Sequence, residues 1–274
     1  MDGAIRDIGR ATGGSLLFAT PLLMTMEIWQ MAPSMPGSRV VLLLLAACVL
    51  LVTLGQLSGF NDSEGQGLVE YVVDAGVAIA VGTVVSVVLL AAFGVLDLEL
   101  GVSAVSRRVA LGAAPASLGA MFARSQLTRA DDGDDAVADE AAPVGGEFDR
   151  YFQELVVMVA GAVIFAFALA PTDEIPRIAL QTGAFGVIVV LVVSVVAMHL
   201  LVYAVGFAGS HGNDHRTEFF RFTLSGYALV VVTCAFLLWV FGRADGVEAA
   251  GFAQQVVILA FPASLGAAVG RLVL

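Results

Sequence analysis

Two short stretches of the chain place a glutamate two residues after a threonine, within or beside long apolar runs. The first is TMEI, which contains Thr25 and Glu27, and the second is TDEI, which contains Thr172 and Glu174. Placing a carboxylate in a bilayer costs free energy, so a carboxylate found there usually has a specific role. Carboxylate oxygens hold cations and protons, so Glu27 and Glu174 form the candidate ion or proton site, with the two threonine hydroxyls as supporting groups.

Each of these residues also suits an ordinary structural role. Glu174 would then lie at the membrane surface and Glu27 about one turn below it, with both carboxylates reaching toward water or capping a helix end. The hydroxyls of Thr25 and Thr172 would then bond to a carbonyl one turn back in their own helices. Both interpretations stay open at the level of the sequence.

Six further ionisable residues are secondary candidates for the site. They share a position within an apolar run or at its start, and they are Glu70, Asp74, Arg107, Arg108, His199 and Glu218. Glu70 and Glu218 also suit a helix start, where an acid stabilises the dipole. Arg107 and Arg108 supply positive charge that would bond a carboxylate such as Glu27.

The composition shows which elements must position these side chains. Of 274 residues, 59% are apolar and 14% are charged, and the mean hydropathy is +0.92, which is typical of a membrane protein. Apolar runs of about 20 residues, the length that spans a bilayer as a helix, recur along the chain. They lie at about 13–31, 40–60, 68–96, 151–171, 178–207, 219–242 and 250–272, with a weaker run at 101–123. The sequence therefore predicts an all-α, polytopic protein of the cell membrane.

The charge balance excludes one class of partner. All 13 basic residues are arginine, 24 residues are acidic, and the formal net charge is −11, with no basic patch of the kind that binds nucleic acid. The lipid bilayer and a small cation or proton are the expected partners, and the sequence identifies no cofactor. The acidic balance suits a halophilic source. Cys48 and Cys234 lie inside apolar runs, where we expect buried free thiols.

One hexapeptide, PASLGA, occurs twice, beginning at Pro115 and again 147 residues later at Pro262. At the same offset Gly14 falls on Gly161 and TMEI falls on TDEI, and the matches keep their order along the chain. Self-similarity at a fixed offset predicts a duplicated unit.

The duplication predicts how the membrane helices are organised. We expect two tandem repeats of about four helices each, and the alternative is two inverted three-helix repeats with re-entrant fourth segments. The repeats would occupy residues 1–129 and 148–274, joined by an acidic disordered linker at 130–147 that has too few large apolar residues to build a core. An acidic site at the repeat interface would bring Glu27 and Glu174 close enough to share an ion or a proton.

The function that this organisation predicts is a transporter or channel for a small cation or a proton. A membrane scaffold or signalling protein without transport is the alternative. The least favoured alternative is an intramembrane hydrolase, because FAGSHGNDHRTE is vaguely similar to the histidine elements of CAAX-type proteases. His211 and His215 lie there in a glycine-rich polar stretch, and no common hydrolase or nucleotide-binding motif occurs, so we do not expect an enzyme.

At GGSLLFATPLLMTMEIWQM and ALAPTDEIPRIA the chain resembles a prokaryotic family of integral membrane proteins of unknown function. The resemblance extends over nearly the whole chain apart from the acidic linker. It implies a helical membrane fold, and it implies no activity, site residue or cofactor.

Overall fold

A computed structural model describes most of the chain as helix. The described residues are 2–57, 68–96, 101–132, 147–204 and 219–273. Every regular element within these ranges is helical, and they contain no β-strand, so the prediction of an all-α fold is confirmed. Glu218, His211 and His215 lie outside the described residues, as does most of the predicted acidic linker.

The chain divides into two compact units, Met1–Gly146 and Glu147–Leu274. The first unit begins with a long helix, continues through a short helix and a 3-10 turn, and then contains three more long helices. Its elements are α1 (Asp2–Leu23), α2 (Met26–Met31), the 3-10 turn (Ala32–Ser34), α3 (Gly37–Leu57), α4 (Leu68–Ala92) and α5 (Val102–Asp132).

The second unit has the same order of long helices. Its elements are α6 (Glu147–Leu169), α7 (Glu174–Ala204), a π-helical turn (Phe219–Leu224), α8 (Ser225–Val240) and α9 (Ala249–Val273). Helix α7 is interrupted at Gly183, whose φ of 62° lies in the left-handed region that favours glycine. This interruption falls 147 residues after Pro36, which connects the 3-10 turn to α3.

Six of the described helices are long and apolar enough to cross a membrane. These spans are Gly37–Gln56, Leu68–Ala92, Tyr151–Leu169, Glu174–Leu201, Phe222–Val240 and Ala249–Arg271. The fold is therefore that of a polytopic membrane protein, as the composition predicts. Helix α5 is less apolar than these spans, yet every residue from 111 to 122 is buried by its neighbours in the fold.

The apolar run at 13–31 does not form one helix, which corrects the prediction of a single span there. Helix α1 ends at Leu23, and α2 starts at Met26. The carbonyls of Leu22 and Leu23 accept hydrogen bonds from the Thr25 hydroxyl and from the indole of Trp29. Hydropathy does not detect this break because the residues on both sides of it are apolar.

Both copies of PASLGA lie inside long helices, with Pro115 in α5 and Pro262 in α9. A proline within a helix lacks one amide donor, whereas the small residues after it allow a second helix to approach closely. The hexapeptide is therefore helical in both units.

The glycine of each hexapeptide forms a tight helix crossing. In the first unit, a Cβ built on Gly14 of α1 would lie 2.2 Å from the carbonyl oxygen of Gly119 in α5. In the second unit, a Cβ built on Gly161 of α6 would lie 2.2 Å from the carbonyl oxygen of Gly266 in α9. Backbone therefore touches backbone at corresponding positions, which accounts for the small residues of the repeated hexapeptide.

Serine hydroxyls add interhelical hydrogen bonds in the first unit. Ser15 of α1 donates to the Ala116 carbonyl at 2.8 Å, and Ser86 of α4 donates to the Val109 carbonyl at 3.1 Å. Interhelical hydrogen bonds of this kind stabilise helix association in a bilayer, where the hydrophobic effect does not drive helices together. Helix α5 is thus tied to both α1 and α4.

Helices α4 and α8 end in the same kind of cap. Gly94 and Gly242 follow these helices with φ values of 70° and 76°, in the left-handed region. Each glycine amide donates to the carbonyl three residues back, and the next amide donates to the carbonyl five residues back. This pattern is a Schellman motif, which satisfies carbonyls at the helix end and turns the chain toward the next helix.

The corresponding crossings and caps support the interpretation of the chain as two copies of one unit. The packing inside the two units is not identical, because α5 contacts α4 extensively whereas α9 contacts α7 more than α8. The superposition of residues 13–123 on 160–270 stays a prediction, as do the predicted repeat boundaries.

Candidate functional site

The candidate carboxylates lie in the connection that follows the first helix of each unit. We call residues 24–36 the first connecting segment and residues 170–183 the second connecting segment. The Thr25 amide and hydroxyl both donate to the Leu22 carbonyl, at 3.0 and 2.6 Å. Thr172 bonds in the same way to Leu169, at 3.0 and 2.8 Å. Both hydroxyls therefore close the preceding helix, which is the structural role that the sequence left open for them.

The two glutamates occupy equivalent positions at the start of a helix. Glu27 lies in the first turn of α2 and is half-buried, and the next residue, Ile28, is 1% exposed. Glu174 lies in the first turn of α7 and is exposed. The amide groups of a first turn have no partner within the helix and stabilise a nearby negative charge. Glu27 is the more enclosed of the two carboxylates.

Arg107 of α5 holds the first connecting segment through its main chain. Its guanidinium group donates to the carbonyls of Pro33 and Met35, at 3.0 and 2.6 Å. These carbonyls follow the short helix α2, where the chain leaves helical geometry and intrahelical donors are lacking. The charged fork of an arginine can satisfy two such oxygens at once.

Arg108 joins the first connecting segment to the end of α4. It donates to the Trp29 carbonyl at 3.0 Å and to the Val95 carbonyl at 2.6 Å. The end of α1, the end of α4 and the start of α5 therefore lie together at one end of the first unit. Within the described part of the chain, Glu27 forms no ion pair with Arg107 or Arg108.

A different arginine holds the second connecting segment. Arg243 lies in the connection between α8 and α9, and its guanidinium group pairs with the Asp173 carboxylate at 2.9 Å. The same group donates to the Pro171 carbonyl. The second unit thus also uses a guanidinium group to hold this segment, although the arginine comes from another element.

The positions of α9 that correspond to Arg107 and Arg108 carry Gln254 and Gln255. Gln255 is 6% exposed, and its side-chain oxygen has no hydrogen-bond partner among the described residues. A neutral amide cannot replace the charge of the guanidinium group. The two units therefore differ in charge at this end of the helices.

The acidic secondary candidates of the first unit do not lie near Glu27. Glu70 is exposed and Asp74 is half-buried, and both lie near the start of α4. The 25 residues of α4 rise about 37 Å, and Arg108 ties the opposite end of this helix to the first connecting segment. Glu70 and Asp74 are therefore at the far end of the first unit from Glu27.

In the second unit, His199 of α7 lies beside the π-helical turn. Its Nδ1 atom is 3.0 Å from the hydroxyl oxygen of Thr223. A hydrogen bond between α7 and this turn matches the packing role that a lone membrane histidine usually has. Glu218 lies just before the turn, outside the described residues.

The second unit contains an ion pair that the sequence patterns do not predict. Arg271 near the end of α9 pairs with Glu154 of α6 at 2.8 Å, with side-chain exposures of 9% and 23%. The guanidinium carbon also lies 4.3 Å from the centre of the Phe222 ring, within range of a cation–π interaction. The available signal in the sequence is Arg124, which lies 147 residues before Arg271, at the offset of PASLGA.

The described residues contain two free cysteines and no cluster of metal-binding side chains. Cys48 is half-buried and Cys234 is buried, and both are free thiols. Among the described residues, no three His, Cys, Asp or Glu side chains come together as a metal site would require. A metal ion at Glu27 would therefore not be held by three such side chains from this part of the chain.

A comparison with protein families agrees with the helical membrane fold. The family described as "Putative integral membrane protein (DUF2391)" matches residues 7–274, which include both units and both connecting segments. No curated protein and no solved structure matches the chain. The resemblance seen in the glutamate-bearing motifs is thereby confirmed, and the chain belongs to this family of integral membrane proteins.

Proposed function

We propose that the protein is a transporter or channel for a small cation or a proton, and that Glu27 is the residue that binds it. The observation that carries the proposal is a half-buried carboxylate in a broken-helix segment of a polytopic membrane protein. Broken helices supply helix ends and backbone groups at the ion sites of many transporters. Glu27 lies outside the candidate membrane spans and beside the end of α4, where a carboxylate would take up an ion at the entrance of a pathway.

Glu174 is the second carboxylate of the proposal. It follows the same connection in the second unit, and the sequence predicts that it shares one ion or proton with Glu27. Such sharing accounts for a threonine and a glutamate that occur in both halves while the residue between them changes from Met26 to Asp173. Thr25 and Thr172 would contribute by fixing the helix ends that carry the glutamates.

A membrane scaffold without transport is the second candidate function. The hydrogen bonds of the first connecting segment favour it, since Arg107 and Arg108 donate to main-chain carbonyls within the segment and Thr25 donates to the Leu22 carbonyl at the end of α1. These bonds stabilise the connection whether or not an ion is bound. On this account Glu27 only stabilises the start of α2.

Infrared difference spectroscopy on the reconstituted protein tests cation binding at Glu27. Exchanging Na⁺ or K⁺ for choline at constant pH should shift carboxylate bands of the wild-type protein, because a bound cation changes the carboxylate vibrations. The Glu27→Gln variant should lose this shift. The Glu248→Gln variant, which changes an exposed carboxylate just before α9, should retain it. Identical shifts in wild type and Glu27→Gln would exclude these cations at Glu27 and restrict the proposal to protons.

A further inference from the structure

The first unit contains an apolar cavity of about 430 Å³ between α3, α4 and α5. One face of α5 lines it, through residues three or four positions apart that include Val102, Val105 and Val109. Leu44 of α3 and Ile79 of α4 complete the wall. The volume is within the range of small-molecule binding sites.

The hydroxyl groups in the cavity wall already donate hydrogen bonds within their own helices. Thr83, Ser106 and Ser117 each donate to a carbonyl three or four residues earlier in their own helix, at 2.7, 3.0 and 2.6 Å. Among the described residues, no carboxylate or guanidinium group lines the cavity. An ion or a polar ligand placed there would lose its hydration without finding replacement partners. The cavity therefore selects an apolar occupant.

The shape of the cavity suits a chain. From Val102 to Ser117, α5 rises about 22 Å, so the volume corresponds to a mean cross-section of about 20 Å², wide enough for one methylene chain. Val102 is 87% exposed, whereas Ala113, Ala114 and Ser117 are buried. One end of the cavity is thus open, and the other end is closed.

The part of the lining that α3 and α4 supply lies within two candidate membrane spans. Ile79 and Thr83 are in the middle of the span Leu68–Ala92, and Leu44 lies within the span Gly37–Gln56. Lipid tails are the molecules that surround a protein at this depth. An acyl chain can therefore reach the cavity without passing through water.

The second unit carries larger side chains at two corresponding positions. Val105 corresponds to Phe252, and Ala114 corresponds to Phe261. The small residues that leave this space open are therefore particular to the first unit. An empty cavity of this size would deprive its lining of packing contacts, which a bound chain restores.

We propose that this cavity holds one acyl chain of a bilayer phospholipid. The apolar lining, the internally bonded hydroxyls, the narrow cross-section and the position within the bilayer all match that occupant. The site is separate from the proposed ion site, because the lining, within the ranges that the structure describes, includes neither Glu27 nor another charged residue. A negative result for cation or proton transport would therefore leave lipid binding at this cavity unaffected.

Photocrosslinking tests the proposal directly. Wild-type protein is reconstituted with phosphatidylcholine that carries a diazirine near the end of one acyl chain, irradiated, digested and analysed by mass spectrometry. Lipid adducts should concentrate on the cavity face of α5, at residues such as Val105 and Val109. The Ala114→Phe variant fills the cavity with the residue of the second unit and should lower these adducts several-fold.

Matched variants separate filling of the cavity from loss of folding. Val105→Phe, the other replacement taken from the second unit, should lower the adducts in the same way. Ala46→Phe places the same side chain on an exposed position of α3 and should leave them unchanged. Each variant is first checked for an unchanged size-exclusion profile and helical circular dichroism. Adducts spread evenly over exposed helix faces, or unchanged adducts in folded Ala114→Phe or Val105→Phe protein, would overturn the proposal.

Discussion

Replacing Gly14 by alanine is expected to lower the melting temperature of the purified protein by several degrees, whereas replacing its neighbour Gly13 should leave it unchanged or slightly higher. A Cβ on Gly14 would lie 2.2 Å from the Gly119 oxygen and 2.4 Å from the Ala123 Cβ, but a Cβ on Gly13 meets nothing within 4 Å. The helices must separate to accept the first substitution, at the cost of overpacking, about 1–3 kcal/mol. The second only removes a glycine from a helix, a gain of roughly 0.5–1 kcal/mol.

Thermal unfolding in detergent, followed by size-exclusion chromatography after heating, measures the difference. Gly161→Ala provides the same test in the second unit, where the Cβ would lie 2.2 Å from the Gly266 oxygen. Equal melting temperatures for the Gly13→Ala and Gly14→Ala proteins would show that α1 and α5 do not touch at this point.

Replacing Arg108 by glutamine, the residue at the corresponding place in α9, should loosen the first connecting segment. The substitution removes hydrogen bonds from a charged donor to the carbonyls of Trp29 and Val95, of which each contributes about 1.5–3 kcal/mol. Hydrogen–deuterium exchange should therefore become faster in residues 24–36 while the second connecting segment is unchanged. Arg108→Lys should give an intermediate result, because an ammonium group lacks the planar fork that reaches both carbonyls.

The Arg177→Gln variant is the control for loss of positive charge. Arg177 is exposed near the start of α7, so its replacement should leave exchange in residues 24–36 as it is in the wild type. Unchanged exchange in Arg108→Gln would mean that the guanidinium bonds do not hold the segment. Faster exchange throughout the first unit would instead mean that Arg108 stabilises the whole unit and not this segment in particular.

Hydropathy predicts most of the helices because a membrane span must be apolar along its whole length. It places α3, α4, α6 and α9 to within a few residues. It misses the break at Met24 and Thr25, since both flanks are apolar and the hydrogen bonds that end α1 come from Thr25 and Trp29. It also misses the first half of α1, because this half is polar and hydropathy detects only apolar stretches.

The helix crossings could be found from the sequence only through the repeat. Gly14 and Gly161 match at the offset of PASLGA, and this match marks the places where backbones touch. The partners of Arg107 and Arg108 could not be found in this way. A sequence suggests that an arginine pairs with a carboxylate, whereas the carbonyls that it binds here become available only because the chain leaves helical geometry.

The proposed movement of a cation or a proton is tested most directly by flux across sealed vesicles that contain the purified protein. Gradients of pH, Na⁺ or K⁺ are imposed in turn, and their decay is followed with ion-sensitive dyes. We predict that at least one gradient decays faster with wild-type or Glu248→Gln protein than in protein-free vesicles, and that Glu27→Gln returns the decay to the protein-free rate. Gradients that decay at the protein-free rate with folded wild-type protein, or equally fast with Glu27→Gln, would contradict the assignment of ion movement to Glu27.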